Sequence, residues 1–463
     1  MLFNSLDFAI FLPIVFILYW FVAHKNLKLQ NALIVLASYV FYAWWDWRFL
    51  SLIIFSTLVD YTIGHRLRNE EKQSKRKVLL WTSIIVNLGF LGFFKYYNFF
   101  LENFVDAFSL FGMQINANSL NIILPIGISF YTFQTLSYTI DVYKKKLEPT
   151  QDLIAFSAFV CFFPQLVAGP IEKAKILLPQ MLIKRRFSFS QSKEGLFLIV
   201  YGFFKKIVVA DNLATIVDPY FLDVTNNATN FNFTILAVFL YSLQIYCDFS
   251  GYSDIAIGIS KQFGINLSVN FKRPYFSANP VNFWHRWHIS LSTWFRDYVF
   301  IPLGGSRIND LLTVRNVFIV FIVSGFWHGA NWTFIIWGLG HFIFYLFHFL
   351  INKYYEINFN KYLSILFTFI IVSLLWIPFR AANITEALVI FQGLLDFNLI
   401  SSPIGLFVIV KIFMILLFFF FYEFKLELQG ERDESNYFNM IFLTMLIMFF
   451  GNFSNNAFVY FQF

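Results

Sequence analysis

Residues 314–350 of this 463-residue chain read VRNVFIVFIVSGFWHGANWTFIIWGLGHFIFYLFHFL. Apolar residues fill two blocks, 314–326 and 332–350, which are separated by a short stretch with a histidine, a glycine and an asparagine. A helix needs roughly twenty mostly apolar residues to cross the hydrocarbon core of a bilayer. This stretch therefore predicts membrane-spanning helices rather than the core of a soluble domain.

Apolar blocks of this kind recur along the whole chain. Hydrophobic residues make up 58% of it and charged residues 13%, whereas soluble domains average roughly 45–50% and roughly 25%. The blocks predict an all-α, polytopic integral membrane protein with about 11–14 transmembrane helices, organised as a single membrane-embedded domain over residues 1–463. The other blocks lie at 8–23, 31–45, 49–63, 78–94, 121–140, 153–168, 195–217, 233–259, 362–379, 403–422 and 437–450, with a weaker candidate at 99–111.

The formal net charge of +7 lies mainly in short loops between the blocks, which indicates membrane orientation and not nucleic-acid binding. Loops rich in Lys and Arg face the cytoplasm, so segments 65–77 and 169–195 are predicted to be cytoplasmic. The N-terminus and segment 218–232, which has no Lys or Arg, are predicted to be extracytoplasmic. Segment 144–146 is also predicted to be extracytoplasmic, provided that 99–111 crosses the membrane. The predicted location is the inner or plasma membrane.

Segment 282–305, NFWHRWHISLSTWFRDYVFIPLGG, is too polar for a lipid-facing helix, since each unpaired polar group in hydrocarbon costs several kcal/mol. We expect it to be interfacial, re-entrant or lining a wet cavity. At 100° per residue, its aromatic stripe has His288 on one edge, and His285 lies about 60° further away. His288 is therefore predicted to point inward. The stripe comprises Trp284, Trp287, Leu291, Trp294, Phe295 and Tyr298.

A second polar position interrupts segment 325–338, GFWHGANWTFIIWG, where His328 lies between Trp327 and two small residues. A histidine buried in an apolar environment stays mostly neutral and can act as a general base. The alternative is a structural hydrogen bond to a neighbouring helix. A zinc site formed by His285, His288 and His328 is geometrically possible, but the chain has no HExxH pattern, so no bound metal is expected.

Two carboxylates, Asp248 and Asp254, lie in the segment YCDFSGYSDIAIG at 246–258. Buried carboxylates mark either a cavity or the pairing of helices. The small residues of this segment favour tight helix packing. Both interpretations remain open from the residues alone.

Five segments resemble, in this order, the membrane-bound O-acyltransferase family: PIGISFYTFQTLSYTIDVY (125–143), FPQLVAGP (163–170), YCDFSGYSDIAIG, NFWHRWH (282–288) and GFWHGANWTF (325–334). RDYVFIPLGGSR (296–307) and the terminal FVYFQF (458–463) resemble the branch that O-acetylates alginate. The branch that transfers D-alanine to teichoic acid is less similar. The resemblance covers essentially the whole chain.

This resemblance implies a ring of helices around a thinned centre with a central funnel. It also implies that His328 is the catalytic base and His288 the second active-site residue. We expect Trp327, Trp287 and Asp248 to contact substrate. His288 or Asn331 is expected to orient the acceptor or to donate to the oxyanion.

The implied donor is acetyl-CoA, with no permanently bound cofactor. Lys272 and Arg273 lie on its expected cytoplasmic approach; the alternative is that they are ordinary charges of a cytoplasmic loop. The implied partners are membrane lipid, a polysaccharide acceptor and an extracytoplasmic serine-hydrolase-like protein of the SGNH type. Alginate, cellulose, peptidoglycan and teichoic acid remain open as acceptors.

Two other classes of protein would share many of these features. A transporter or flippase of a lipid-linked sugar or acyl group would also need a membrane ring and buried carboxylates. It would not need a histidine at position 328. A scaffold that only docks a periplasmic enzyme would explain none of the buried polar residues.

Overall fold

A computed structural model describes residues 1–463 except 114, 116–118, 168, 356–359, 399–403, 430–435, 454–457 and 459–463. Residue 168 of the FPQLVAGP motif, residue 403 of the block 403–422 and residues 459–463 of the terminal motif thus lie outside the described residues. The described residues form helices and contain no strand, which confirms the all-α class.

The helices begin and end close to the predicted apolar blocks. The α-helices are α1 Leu6–Ile17, α2 Leu27–Asp46, α3 Leu50–Asn69, α4 Gln73–Leu91, α5 Tyr97–Leu110, α6 Ile128–Tyr143, α7 Leu153–Cys161, α8 Phe163–Leu166, α9 Ala174–Leu182, α10 Phe189–Phe203, α11 Asp211–Leu222, α12 Val224–Asn227, α13 Phe231–Gln262, α14 Pro280–Trp284, α15 Ile289–Phe295, α16 Asp310–His328, α17 Trp332–Tyr354, α18 Lys361–Arg380, α19 Ile384–Gly393, α20 Leu406–Gln429 and α21 Tyr437–Phe450. Short π-helical segments occur at Leu18–Val22, Gly92–Tyr96, Phe204–Ala210 and Arg296–Phe300, and 3-10 turns at Trp47–Phe49 and Pro274–Phe276.

Among the described residues, 6 helical segments are long and apolar enough to cross a membrane. They are Gln73–Leu110, Phe231–Gln262, Asp310–His328, Trp332–Tyr354, Lys361–Arg380 and Leu406–Leu428. Shorter apolar helices lie at Leu6–Val22, Leu153–Leu166, Ile384–Gly393 and Tyr437–Phe450. The chain is therefore a multi-pass membrane protein. The number of crossings, the ring and the funnel stay predictions.

The candidate block 99–111 is not a separate crossing. It belongs to the segment Gln73–Leu110, which is 38 residues long and helical throughout, with a π turn at Gly92–Tyr96. At 1.5 Å per residue this segment is about 57 Å long, far more than the hydrocarbon core. Hydropathy could not show that the chain stays helical through the π turn.

By its internal contacts, the chain divides into two compact units. The first comprises 1–195 and 256–268, and the second comprises 196–255 and 269–463. Whether they form one domain stays a prediction.

In the first unit, the basic segments 65–77 and 144–146 lie at the same end. The guanidinium of Arg76 donates to the carbonyl of Tyr143 at 2.9 Å, and the Gln73 amide donates to the Tyr143 hydroxyl at 2.8 Å. The predicted placement of 144–146 opposite 65–77 is therefore wrong, because 99–111 adds no crossing. Met1 lies towards the other end, where its ammonium donates to the Phe41 carbonyl, near the α2–α3 turn.

A buried carboxylate ties three helices of this unit together. Asp60 on α3 is fully buried and accepts from Ser83 and Asn87 on α4 and from Thr139 on α6, the last two at 2.8 and 3.0 Å. Hydrogen bonds of this kind hold membrane helices together where the hydrophobic effect cannot. The network accounts for the polar residues that these apolar helices carry.

In the second unit, α16 and α17 form a closely packed hairpin. A Cβ atom on Gly325 would lie 2.3 Å from the Phe334 carbonyl oxygen, and one on Gly338 would lie 2.4 Å from that of Phe321. Only glycine allows the two backbones to approach this closely. The hairpin brings His328, the last residue of α16, against the first turns of α17.

Candidate active site

The segment around the RWH motif is not one continuous helix. Helix α14 ends at Trp284 and α15 begins at Ile289, and His288 between them has a left-handed backbone with φ 41° and ψ 54°. The predicted single helical phase is therefore wrong across this break. Its main consequence is nevertheless confirmed, because His288 is fully buried while His285 is exposed.

Asn270 determines which nitrogen of His288 carries the proton. The Asn270 side-chain oxygen accepts from the Ser290 backbone N–H at 3.3 Å and from its hydroxyl at 2.8 Å. The same oxygen lies 3.1 Å from His288 Nδ1. Because an amide oxygen can only accept, Nδ1 must be the donor in this contact. The lone pair of the imidazole is therefore on Nε2.

Burial also determines the charge of His288, which lies outside the six long apolar helices. Desolvation lowers its pKa from 6.5 to about 3, since burial disfavours the charged form. The imidazole is thus neutral at physiological pH. Because the unfolded chain takes up the proton more readily, this residue contributes stability above about pH 6.5 that is lost as the pH falls towards 3.

His328 lies at the C-terminal end of α16 in an aromatic pocket, with 5% of its surface exposed. Its ring centroid is 5.0 Å from that of Trp337 and 5.3 Å from that of Phe379. The residue that follows must be small, because a Cβ on Gly329 would lie 2.0 Å from the Phe334 ring.

Trp327 joins the two histidines. Its ring centroid is 6.3 Å from that of His288 and 5.0 Å from that of His328, and both contacts are edge-on. The indole is buried, with 4% of its surface exposed. The structure therefore places the two candidate catalytic side chains against a single residue that was predicted to contact substrate.

The two other predicted substrate contacts near this cluster already have structural partners. Trp287 packs on Trp376 with 4.8 Å between ring centroids. Asn331 caps α17, accepting from Thr333 N–H at 3.1 Å, and its amide donates to the Ala382 carbonyl at 2.7 Å. Their roles towards substrate stay predictions.

Asp248 belongs to a buried group of charges. Lys206 lies 2.7 Å from Asp248 and 2.8 Å from Asp211, and Lys205 lies 2.5 Å from Asp254. Both lysines come from the π-helical segment Phe204–Ala210 and both are buried. Of the two interpretations of Asp248 and Asp254, the geometry thus favours helix pairing. The lysines were missed because their block is apolar overall, although a charge within such a block requires a partner.

A carboxylate on α20 forms ion pairs with two arginines of the segment that precedes His288. Glu427 accepts from the guanidinium of Arg273 and from that of Arg286, each at 2.9 Å. Lys272 is exposed. The predicted roles of Lys272 and Arg273 in binding acetyl-CoA stay predictions, and the structure adds that Arg273 is already paired. No sequence pattern connects Glu427 with residues more than 140 positions earlier.

The zinc alternative required His285, which is exposed. Within the described part of the chain, no group of three or more His, Cys, Asp or Glu side chains lies together as metal ligands.

Comparison with known proteins identifies the family of this chain. The profile of the membrane-bound O-acyltransferase family matches residues 144–384. A probable alginate O-acetylase, AlgI, of Pseudomonas aeruginosa is 38% identical over 454 residues, covering 94% of this chain and 85% of that protein. The chain belongs to the membrane-bound O-acyltransferase family. It is an enzyme, and the transporter interpretation is set aside.

Relatives in this family differ in acceptor. The peptidoglycan O-acetyltransferase of Helicobacter pylori is 37% identical over 435 residues, 87% of this chain and 81% of that protein. The teichoic acid D-alanyltransferase of Bacillus subtilis is 31% identical over 240 residues, 48% of this chain and 58% of that protein. This O-acyltransferase is thus related to both alginate and peptidoglycan O-acetylating enzymes.

The burial of the two neighbouring histidines predicts unequal effects on acyl transfer. His288→Ala removes a buried imidazole beside Trp327 and should lower the rate by about a hundredfold or more. His285→Ala, in the same segment but exposed, should leave the rate within about twofold of that of the unsubstituted protein. The test is product acylation at matched levels of membrane-inserted protein. A larger loss with His285→Ala would contradict the site.

Proposed function

We propose that this O-acyltransferase takes an acetyl group from cytosolic acetyl-CoA for the O-acetylation of an extracytoplasmic cell-surface polysaccharide, with His328 as the base. One observation carries the proposal: two buried histidines from distant segments pack against the single indole of Trp327. The activities for which the relatives are named, alginate O-acetylation and peptidoglycan O-acetylation, support acetyl as the group and a polysaccharide as its destination.

The proposed chemistry is balanced acyl transfer. Neutral His328 removes the proton of an acceptor hydroxyl as its oxygen bonds to the thioester carbon. The resulting tetrahedral oxyanion collapses, the carbon–sulfur bond breaks, and the CoA thiolate takes the proton from the His328 imidazolium. The products are the acetyl ester and CoA, and no net proton is gained or lost.

The tautomer of His288 assigns it a different role. With its proton on Nδ1 towards Asn270, its Nε2 can accept a hydrogen bond but cannot donate one. Since the reacting hydroxyl has only one proton, which passes to His328, His288 orients the acceptor by accepting from a neighbouring donor group. The donor for the oxyanion must come from another residue.

We propose Trp337 as that donor. Its indole is completely buried, its Nε1–H has no hydrogen-bond partner among the described residues, and its ring contacts that of His328. A buried N–H without an acceptor costs about 1–3 kcal/mol. A donor that acquires its acceptor only when the oxyanion forms stabilises the transition state more than the ground state.

The basic segments and the short connections between helices bear on the orientation of the chain and on a partner protein. The basic segments 65–77 and 144–146 would face the cytoplasm and the N-terminus would lie outside. Connections such as 329–331 and 381–383 are only three residues long, which leaves little chain there for a cleft that presents a polymer. An extracytoplasmic protein of the SGNH type would take the acetyl group on a serine and pass it on.

Substitution of the base tests the function itself. His328→Ala should leave the protein inserted and folded but lower acetyl transfer by about a hundredfold to ten-thousandfold, the usual contribution of a general base. The measurement is acetylation of product with the variant at the same membrane level as the unsubstituted protein. Near-normal acetylation would disprove the catalytic role of His328.

The oxyanion role is tested by a matched pair of Trp→Phe substitutions. Trp337→Phe keeps most of the ring but removes the N–H, and should lower kcat by about a hundredfold with KM nearly unchanged. Trp376→Phe is the control, because its Nε1 already donates to the Tyr275 hydroxyl at 3.1 Å, so it should affect stability more than kcat. Equal kcat values for the two variants would eliminate Trp337 as the donor.

Reconstitution tests the donor and the relay. With radiolabelled acetyl-CoA on the cytoplasmic side of proteoliposomes and polymer on the other, the chain alone should not label the polymer. A purified SGNH-type acetyltransferase should acquire label and pass it on, whereas its Ser→Ala variant should not. Efficient labelling of polymer by the chain alone would exclude the relay, and no consumption of acetyl-CoA in any arm would exclude that donor.

A further inference from the structure

A cavity of about 480 Å³ lies in the first unit where α3 ends and α4 begins. It is unrelated to the histidine cluster, which belongs to the second unit. Its lining changes from polar at the helix ends to apolar along α4. The lining residues are His65, Arg66, Asn69, Glu70, Lys75, Val78 and Leu79.

The polar part of the cavity has unneutralised positive charge. Arg66 has no ion pair or hydrogen bond with any described residue, and the only carboxylate in the lining, Glu70, lies 3.7 Å from Lys75. The surrounding segment 65–77 contains six Lys or Arg against two Glu. Helix α4 starts beside the cavity with no side-chain cap, so its first N–H groups add positive potential. A bound anion would neutralise the basic side chains and accept hydrogen bonds from the N–H groups at the start of α4.

The apolar part continues beyond the cavity along α4. Val78, Trp81 and Ile85 are 65%, 59% and 65% exposed, and their spacing of three and four residues places them on one face of the helix. This helix begins the apolar segment Gln73–Leu110, so the stripe faces hydrocarbon. A tryptophan one turn below a basic helix end is typical of the membrane interface.

We propose that this cavity and stripe bind one anionic phospholipid. The headgroup phosphate lies between Arg66 and Lys75, and the acyl chains lie along Val78, Trp81 and Ile85. Arg66 is suited to this because its guanidinium donates two parallel hydrogen bonds to a phosphate. A free phosphate would use the charges but leave the apolar stripe uncovered, which is why a lipid fits the whole surface better.

Native mass spectrometry of the purified full-length chain tests the proposal. The double variant Arg66→Gln/Lys75→Gln should bind phosphatidylglycerol about twenty-five-fold more weakly, since each basic residue near an anionic lipid contributes about fivefold. The matched control, Arg68→Gln/Lys77→Gln, removes the same charge from exposed positions of the same segment that do not line the cavity. It should bind nearly as well as the unsubstituted chain.

Three results would overturn the site. Equal weakening by both double variants would indicate general attraction by the basic segment. Equal binding of phosphatidylcholine to the unsubstituted chain would remove the requirement for negative charge. Displacement of bound phosphatidylglycerol by millimolar inorganic phosphate would show a free-phosphate site. The last two measurements use the unsubstituted protein, so they decide the question even if a variant folds poorly.

Discussion

A polar or charged side chain inside hydrocarbon must find its partner within the protein, and most of the architecture described above follows from that requirement. Asp60 accepts hydrogen bonds from side chains of two neighbouring helices. Lys206 forms ion pairs with Asp248 and Asp211. Glu427 forms ion pairs with two arginines. Each arrangement joins segments that are distant in sequence. Since lipid offers no hydrophobic force between helices, these polar contacts and the close glycine crossings provide the specificity of the packing.

The same requirement distinguishes polar groups that have a structural partner from buried polar groups that have none. Asn331 and Arg273 have partners that explain their presence. The Trp337 indole is completely buried, more so than those two side chains, and its N–H has no partner among the described residues. In a surrounding of aromatic rings with a low dielectric, an oriented donor interacts with a developing charge more strongly than water would. In the proposed mechanism, the aromatic residues near His328 would have a function that those on lipid-facing helices do not have.

The sequence predicts the class of this protein well because a continuous run of about twenty apolar residues typically forms a membrane-spanning helix. It also predicts that His288 rather than His285 is buried, although the chain breaks between α14 and α15, because the aromatic residues on either side of the break pack inward. It fails where the outcome depends on tertiary structure. Whether 99–111 turns back depends on a π turn that has no hydropathy signal. The partners of Lys206 and Arg286 lie on helices whose arrangement no single sequence reveals, and the role of Asn270 depends on one hydrogen bond.

The pairing of Arg273 and Arg286 with Glu427 has a consequence for biosynthesis. Glu427 is the 141st residue after Arg286 and the 154th after Arg273. At 5–20 residues per second, a ribosome needs on the order of ten seconds to make the intervening chain. During that interval both arginines must remain hydrated, so the loop that carries them cannot settle at its final depth until α20 has been inserted. The segment that carries Arg273, Arg286 and His288 therefore reaches its final position only after α20 has been synthesised and inserted.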